Sequence, residues 1–561
     1  DSLLFSLALA VGLTPQLLPA IITINLSKGA HDMAKKKVIV KRLSSIENFG
    51  SMNILCTDKT GTITAGKVDL KDVLDINGTS STKAFYYAWL NASLQQGFRN
   101  LIDEAICNSF NGQKTSESVI SEIPYDFIRK RLTIYTRIQD QSIAITKGAF
   151  NKVLEICTSA EMPDESVKNI ESYRDAIMAQ YQQLSAAGYR TLGVAYKKTD
   201  VGDFNISDET DMVFLGFVTL FDPLKPETLQ TVKELQDLGL SLKIITGDNE
   251  LVAKSLVVQM GIQNPIIVTG KQMTEMSEAA LLNRVLFAHV FAEVEPNHKE
   301  RIILALKKSG NVVGFMGDGI NDAPALHAAD VGISVDTAVD VAKEAADIVL
   351  LAPDLEVLKD GITEGRKTFA NTMKYVFMAT SANFGNMFSM AGVSLFLPFL
   401  PLLPKQILLT NLLTDFPEMS IASDRVDSES VSKPMRWDLG FIKRFMITFG
   451  LISSIFDYLT FGVLLYFLKA NEQLFQTGWF VESIISATLI VLVVRTRKPF
   501  FRSLPGKYLV LATVLVIVFV LIIPFSPFMK LFDFVQLPPA FFGWMAGIVM
   551  LYILTVEVAK K

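Results

Sequence analysis

The stretch Asn53-Ile54-Leu55-Cys56-Thr57-Asp58-Lys59-Thr60-Gly61-Thr62 decides the fold. Its apolar, β-prone start runs into an aspartate, a lysine and a glycine-containing turn, the pattern of a buried strand that ends in a loop. An aspartate at the carboxyl end of a parallel strand stands where open α/β sheets build their sites. Such a carboxylate can attack a phosphorus centre and hold a covalent acyl phosphate. A simple Asp-Lys turn would account for two of these residues, but not for the whole Asp58–Thr62 run.

Two more strand-and-loop pairs lie downstream. Thr246-Gly247-Asp248 follows Lys243-Ile244-Ile245, and Gly317-Asp318-Gly319-Ile320-Asn321-Asp322-Ala323-Pro324 follows Asn311–Met316. Short β-rich runs (Met52–Cys56, Lys243–Ile245, Asn311–Met316) alternate with helical patterns, which predicts an α/β part. The remainder of the 561 residues is different: half the chain is hydrophobic, only 20% is charged, and mean hydropathy is +0.34. Soluble domains usually carry about 25% charge, so an ordinary soluble enzyme is excluded. A net charge of −4 with pI near 5.8 gives no basic nucleic-acid surface. Cys56, Cys107 and Cys157 form no CxxC pair, which argues against disulfides or a zinc cluster.

Apolar runs near the bilayer-spanning length of about 17–25 residues lie at 3–27, 369–397, 403–422, 441–468, 479–494, 508–525 and 541–557. Residues 28–368 have globular composition. Basic residues gather in the large insert, around Lys433–Arg444, around Arg495–Lys507 and at the C-terminus, so those parts face the cytoplasm by the positive-inside rule. Asp1 enters an apolar run without an initiator Met, and the sequence therefore reads as a piece of a longer chain. Seven spans exclude a soluble phosphatase, and a membrane scaffold without activity would need a decayed Asp58 motif.

The Cys56–Thr62 heptad resembles the phosphorylation motif of the P-type ATPases, within the haloacid-dehalogenase-like superfamily. The Thr246–Asp248 and Gly317–Pro324 motifs, Lys299 in Val294-Glu295-Pro296-Asn297-His298-Lys299, and Asp222-Pro223 match the family in order. The resemblance implies a membrane helical bundle joined to an α/β part: a Rossmann-type phosphorylation domain at 31–65 and 220–365, with an inserted α+β nucleotide-binding domain at 66–219. Residues 1–30 would be a fourth transmembrane helix broken at Pro15 and Pro19, and 366–561 helices five to ten. The actuator loop and three earlier spans would lie outside residues 1–561, which could be phosphorylated without completing a cycle.

The resemblance also assigns roles. Asp58 would accept the phosphoryl group, beside Lys59. Lys299 and Thr246 would hold the phosphate oxygens, Gly247 and Asp248 would complete the catalytic motif, and Asn321 and Asp322 would brace the loop. Moving a γ-phosphoryl between anions needs a neutralising cation, so a catalytic Mg²⁺ would be shared by Asp58, Asp318 and the Thr60 carbonyl. For ATP, Tyr125 in Pro124-Tyr125-Asp126-Phe127 matches the adenine-stacking aromatic and Lys147-Gly148-Ala149 the pocket lysine. Glu104 and Arg190 match weaker positions.

Polar residues inside apolar runs are expensive and mark ion paths. Pro15 and Pro19 break the first run beside Gln16 and free carbonyls for a cation. Asn383 and Asn386 share a helix face in the second run. Asn411, Asp415 and Glu418 share one in the third, where Asp415 reads as the only carboxylate deep in the membrane. Oxygen donors with few carboxylates and no cysteine suit a hard cation. Val38–Gly50 and Ala382-Asn383-Phe384-Gly385-Asn386 resemble the bacterial magnesium-transporting P-type ATPases. That implies Mg²⁺ carried into the cytoplasm across a bacterial cytoplasmic membrane. Gln16 departs from the family, which has glutamate there. A calcium pump is the nearest alternative reading, then a proton pump. The lipid bilayer is the implied partner; oligomeric state is open.

Overall fold

The computed structural model describes residues 17–59, 61–97, 100–110, 117–126, 128–139, 141–200, 202 and 204–560. Gln16, Pro15 and Thr60 lie outside the described residues. Among the described residues the first sheet has eight strands in the order Val38–Val40, Ile348–Leu350, Val331–Val335, Val313–Met316, Ile54–Asp58, Ser241–Ile245, Val290–Ala292 and Ile267–Thr269. All neighbours run parallel except the outermost pair at Val38–Val40. Ile54–Asp58 is central, with Thr57 opposite Met316 and Asp58 opposite Ile245. Its first four residues are buried, as a strand covered on both faces requires. Because these three strands are parallel, the loops after Asp58, Ile245 and Met316 leave the same edge of the sheet.

A second sheet occupies the sequence between those strands. Its order is Val119–Ile123, Arg131–Ile138, Gln141–Ala149, Arg190–Lys198, Met212–Phe221, Cys157–Glu161 and Val167–Asn169, with Asp69–Leu74 also paired to Met212–Phe221. The outgoing and returning chains are fastened together. Ala65 N donates to Pro223 O at 2.9 Å, and Thr64 Oγ1 donates to Asp222 Oδ2 at 2.6 Å.

A 39-residue helix, Leu355–Val393, joins the first sheet to the bundle. The boundary expected at 365/366 falls inside it, because no proline or cap interrupts that stretch. Gly50 and Gly365 let the helix Ser45–Ser51 lie directly on it; a Cβ at Gly50 would come within 2.9 Å of the Gly365 carbonyl. Arg366 is fully buried and donates to Gly50 O at 3.2 Å and Val431 O at 2.8 Å. Helix Leu18–Lys35 packs alongside, with Asn25 Nδ2 donating to Thr368 O at 2.9 Å. That helix also crosses the boundary expected at residue 30. Pro19 sits in its first turn, where a missing N–H costs nothing, so it begins a helix in the described residues.

Four described helices are long and apolar enough to cross a membrane: Leu439–Phe467, Glu472–Val494, Lys507–Phe525 and Pro539–Ala559. They correspond to the last four apolar runs. The runs at 369–397 and 403–422 fall in Leu355–Val393 and in the 16-residue helix Pro404–Met419, with a short 3₁₀ turn after the latter. Pro404–Met419 is short for a span, and its Asn411, Asp415 and Glu418 lower its apolarity. The expectation of one deep carboxylate does not hold. Asp457 and Glu482 are buried within two of the four spanning helices, at 4% and 1% exposure.

Candidate functional site

The common edge of the three parallel strands gathers charge. Lys299 Nζ lies 2.7 Å from Asp58 Oδ2 and 2.7 Å from Asp322 Oδ1. It reaches the edge from the first turn of helix Pro296–Lys308. Burial alone would lower its pKa, but Asp58 and Asp322 outweigh that and hold it above the usual lysine value, so it is a fixed cation. Asp58 Oδ1 accepts the Lys59 N–H at 2.7 Å. Asp322 Oδ2 accepts the N–H groups of Asp318 and Gly319, at 3.2 and 3.0 Å, which sets the loop carrying Asp318. Gly317 is demanded here, because a Cβ would lie 2.7 Å from that of Asp322. Asn321 is exposed on the turn.

Asp318 stands at the opening of this edge. Desolvation by the surrounding strand ends, then the charges of Asp322 and Asp58, push its carboxyl above the usual range. It has no ion-pair partner among the described residues. Two hard carboxylates on adjacent strand ends fit Mg²⁺, which binds through one or two carboxylates and completes its shell with water and substrate phosphate. No group of three or more His, Cys, Asp or Glu converges as a metal site among the described residues.

On the other side, Lys59 Nζ pairs with Asp248 Oδ2 at 2.5 Å, both nearly buried. Thr246 Oγ1 accepts the Asp248 N–H at 3.1 Å, so its hydroxyl closes its own loop; Gly247 is exposed between them. Burial raises the Asp248 pKa, but Lys59 and Arg190 outweigh it and the net shift is downward. Arg190, half-exposed at the start of its strand in the second sheet, places Nε 3.9 Å from Asp248 Oδ1. It also interacts electrostatically with Tyr125. A line of side chains, Tyr125–Arg190–Asp248–Lys59, thus runs from the second sheet to Asp58.

Tyr125 is 50% exposed on a loop fixed by Arg129. The Arg129 guanidinium bonds Asp126 at 2.6 Å, Glu209 at 2.9 Å and the Pro124 carbonyl at 2.7 Å. Sequence reasoning missed Glu209, since nothing in a single sequence marks a carboxylate 80 residues away. Glu104 is exposed in the first turn of helix Leu101–Ser109. Lys147 is buried, and its ammonium is bonded to Asp103, which also accepts from Gln95 Nε2 at 2.5 Å. Burial lowers the Lys147 pKa and Asp103 opposes this. Gly148 permits close strand approach, because a Cβ would strike Lys130 O and Arg131. Breaking a buried pair leaves an uncompensated charge, so Asp103→Leu is expected to destabilise the second sheet by about 3–5 kcal/mol. Amide exchange along Gln141–Ala149 measures it, and unchanged protection contradicts it.

In the bundle, Asn383, Asn386 and Asn411 line one cavity with Thr410, Trp479 and Ser483. Glu418 lines a second. Among the described residues Asp415 lines neither, so the face expected to carry Asn411, Asp415 and Glu418 is divided. Sequence reasoning also missed Ser483, since a lone serine in an apolar run carries no signal.

The second sheet matches a family model described as "P-type ATPase, cytoplasmic domain N" over residues 71–227, and the bundle one described as "Cation transporting ATPase, C-terminus" over 399–561. A magnesium-transporting ATPase, P-type 1, of Escherichia coli is 42% identical over all of this chain and 64% of its own length. Another of that name from Salmonella typhimurium is 42% identical with the same coverage. A calcium-transporting ATPase of Bacillus subtilis is 30% identical over 98% of this chain and 68% of its own length. The chain belongs to the P-type cation-transporting ATPases. It spans 64% of the length of the magnesium-transporting relatives.

Proposed function

We propose that this chain carries the phosphorylation, nucleotide-binding and ion-path parts of an ATP-driven magnesium transporter, importing Mg²⁺ across a bacterial cytoplasmic membrane. One observation carries the reading: Lys299 is bonded to both Asp58 and Asp322 at the edge where Asp318 opens. Strands 54–58, 241–245 and 313–316 belong to a haloacid-dehalogenase-like phosphorylation domain, and residues 66–219 bind the nucleotide.

Asp58 is the nucleophile. A carboxylate oxygen forms a bond to the γ-phosphorus of ATP while the bond to the β,γ-bridging oxygen breaks, and ADP leaves. Lys299 neutralises the charge that gathers on the equatorial oxygens, the electrostatic task of such sites. Asp322 holds that lysine and the Asp318 loop in register. Asp58 and Asp318, with Thr60, hold the catalytic Mg²⁺, which when bound screens the phosphate charge. Arg190 and Tyr125 guide the nucleotide toward Asp58, with Glu104, Lys147 and Gly148 supporting that part of the fold. Lys59, Thr246, Gly247, Asp248 and Asn321 shape the rim.

Stacked aromatics contribute about 1–3 kcal/mol per base. Tyr125→Ala is therefore expected to weaken ATP binding roughly 5- to 150-fold, on the rule that 1.4 kcal/mol is tenfold. Nucleotide titration checks this; unchanged affinity removes Tyr125 from the site.

The transported ion passes Asn383, Asn386 and Asn411. Asp415 and Glu418 supply negative charge. Amide-rich ligation suits an ion that keeps much of its water, which favours Mg²⁺ over Ca²⁺. ATPase activity of the full-length protein, titrated separately with Mg²⁺ and Ca²⁺ under buffered MgATP, tests the choice. Stimulation by Ca²⁺ alone overturns it.

A further inference from the structure

Glu209 follows the 3₁₀ turn Ile206–Asp208 and belongs to none of the motifs that mark the chain. It is nevertheless buried, and three side chains converge on its carboxylate. Arg129 Nη1 donates to Oε1 at 3.0 Å and to Oε2 at 2.9 Å. Arg131 Nε donates to Oε2 at 3.0 Å, and Thr133 Oγ1 to Oε1 at 2.6 Å.

These donors reach into both walls of the nucleotide region. Arg129 uses its other N–H groups on the two residues that flank Tyr125: Nε donates to Asp126 Oδ2 at 2.6 Å, and Nη2 to the Pro124 carbonyl at 2.7 Å. Thr133 stands opposite Thr146 in the strand ladder, with the two hydroxyl oxygens 2.7 Å apart, and Thr146 immediately precedes Lys147. Arg131 stands opposite Gly148 in the same ladder. One carboxylate thereby fastens the loop of Tyr125 to the strand of Lys147.

Charge and burial make Glu209 the anchor of this group. The Asp126 side chain is 42% exposed, so water screens its pairing with Arg129, whereas the Glu209 side chain is 0% exposed. Without Glu209 the guanidinium groups of Arg129 and Arg131 would face each other with like charge. A planar guanidinium also fixes direction as well as distance, which a flexible ammonium does not. A buried ion pair is by itself weak evidence for net stability. Here its geometry does something more specific: it aims the remaining Arg129 donors at Pro124 and Asp126.

We propose that Glu209 is a positioning residue for nucleotide binding, which acts through Arg129 to hold the backbone on both sides of Tyr125. The role rests on the reading of Tyr125 as the adenine-stacking side chain. Glu209 itself need not touch the nucleotide.

The test is a double-mutant cycle on ATP affinity in the full-length protein that carries this chain, with Mg²⁺ chelated so that binding is read without turnover. Glu209→Gln keeps size and removes charge. It is expected to weaken ATP binding roughly 5-fold or more, and by no more than the roughly 150-fold that loss of the ring itself would bring. In a Tyr125→Ala background the same substitution should change affinity by less than about twofold, because the contact it positions is gone. A purely structural Glu209 would weaken binding equally in both backgrounds. Arg129→Lys keeps a cation for Glu209 but cannot hold Pro124 and Asp126 at the same time, and should reproduce the loss. Amide exchange along Gln141–Ala149 reports folding; should Glu209→Gln misfold, Arg129→Lys with and without Tyr125→Ala carries the cycle. Additive losses, or ATP affinity equal to the parent protein in the folded variants, overturn the positioning role and leave the nucleotide site intact. Unchanged affinity in Tyr125→Ala alone overturns the reading of Tyr125 and the role with it.

Discussion

In the full-length protein that carries this chain, Asp58→Asn is expected to abolish ATP turnover. Removing a covalent nucleophile acts on the order of 10⁴-fold or more in rate, equivalent to about 5.4 kcal/mol at 1.36 kcal/mol per tenfold. The substitution preserves shape, and Lys299 keeps its 2.7 Å bond to Asp322, so the loop at Asp318 stays in place. Nucleotide affinity should stay close to that of the parent protein, because Tyr125 and Arg190 are untouched. Steady-state phosphate release and ATP titration separate the two effects. Residual turnover above a tenth of the parent rate, with binding intact, would remove Asp58 from the chemistry.

Asn386→Leu is expected to have the largest effect on transport. Asn386 is common to both bundle cavities, so an apolar side chain there interrupts the path at its junction. Mg²⁺ uptake at subsaturating concentration should fall by at least the 10- to 100-fold typical of a disturbed metal site. Asp415→Asn removes charge beside the path and is expected to shift ion dependence as well. Uptake by the full-length protein, in cells lacking other magnesium systems, measures both. Normal uptake by Asn386→Leu, at equal protein abundance in the membrane, contradicts the path.

The cleft was far more legible in the sequence than the bundle. Asp58, Asp248 and Asp318 each follow an apolar strand within a few residues, so local pattern alone placed them on loops. Their convergence then follows from parallel strand order, since all three leave one sheet edge. Lys299 could be found only through its flanking motif, because its bonds to Asp58 and Asp322 span 241 and 23 residues. The buried pair Lys147–Asp103 was invisible for the same reason. Bundle residues carry weaker signals. Asp457 and Glu482 sit singly inside long apolar runs, and only the packing of four helices reveals that Asp457 faces a cavity. The expected domain boundary at 365/366 leaves no mark in the backbone: Leu355–Val393 continues through it as one helix.

The most direct test of the account is chemical mapping of the phosphorylated residue. The protein, incubated briefly with γ-labelled ATP and Mg²⁺ and quenched in acid, should carry one label per active site. The label should survive acid and be released by hydroxylamine, as an acyl phosphate requires. Peptide sequencing should then place it on Asp58. An acid-stable label that resists hydroxylamine, or one located on any other residue, would contradict the account.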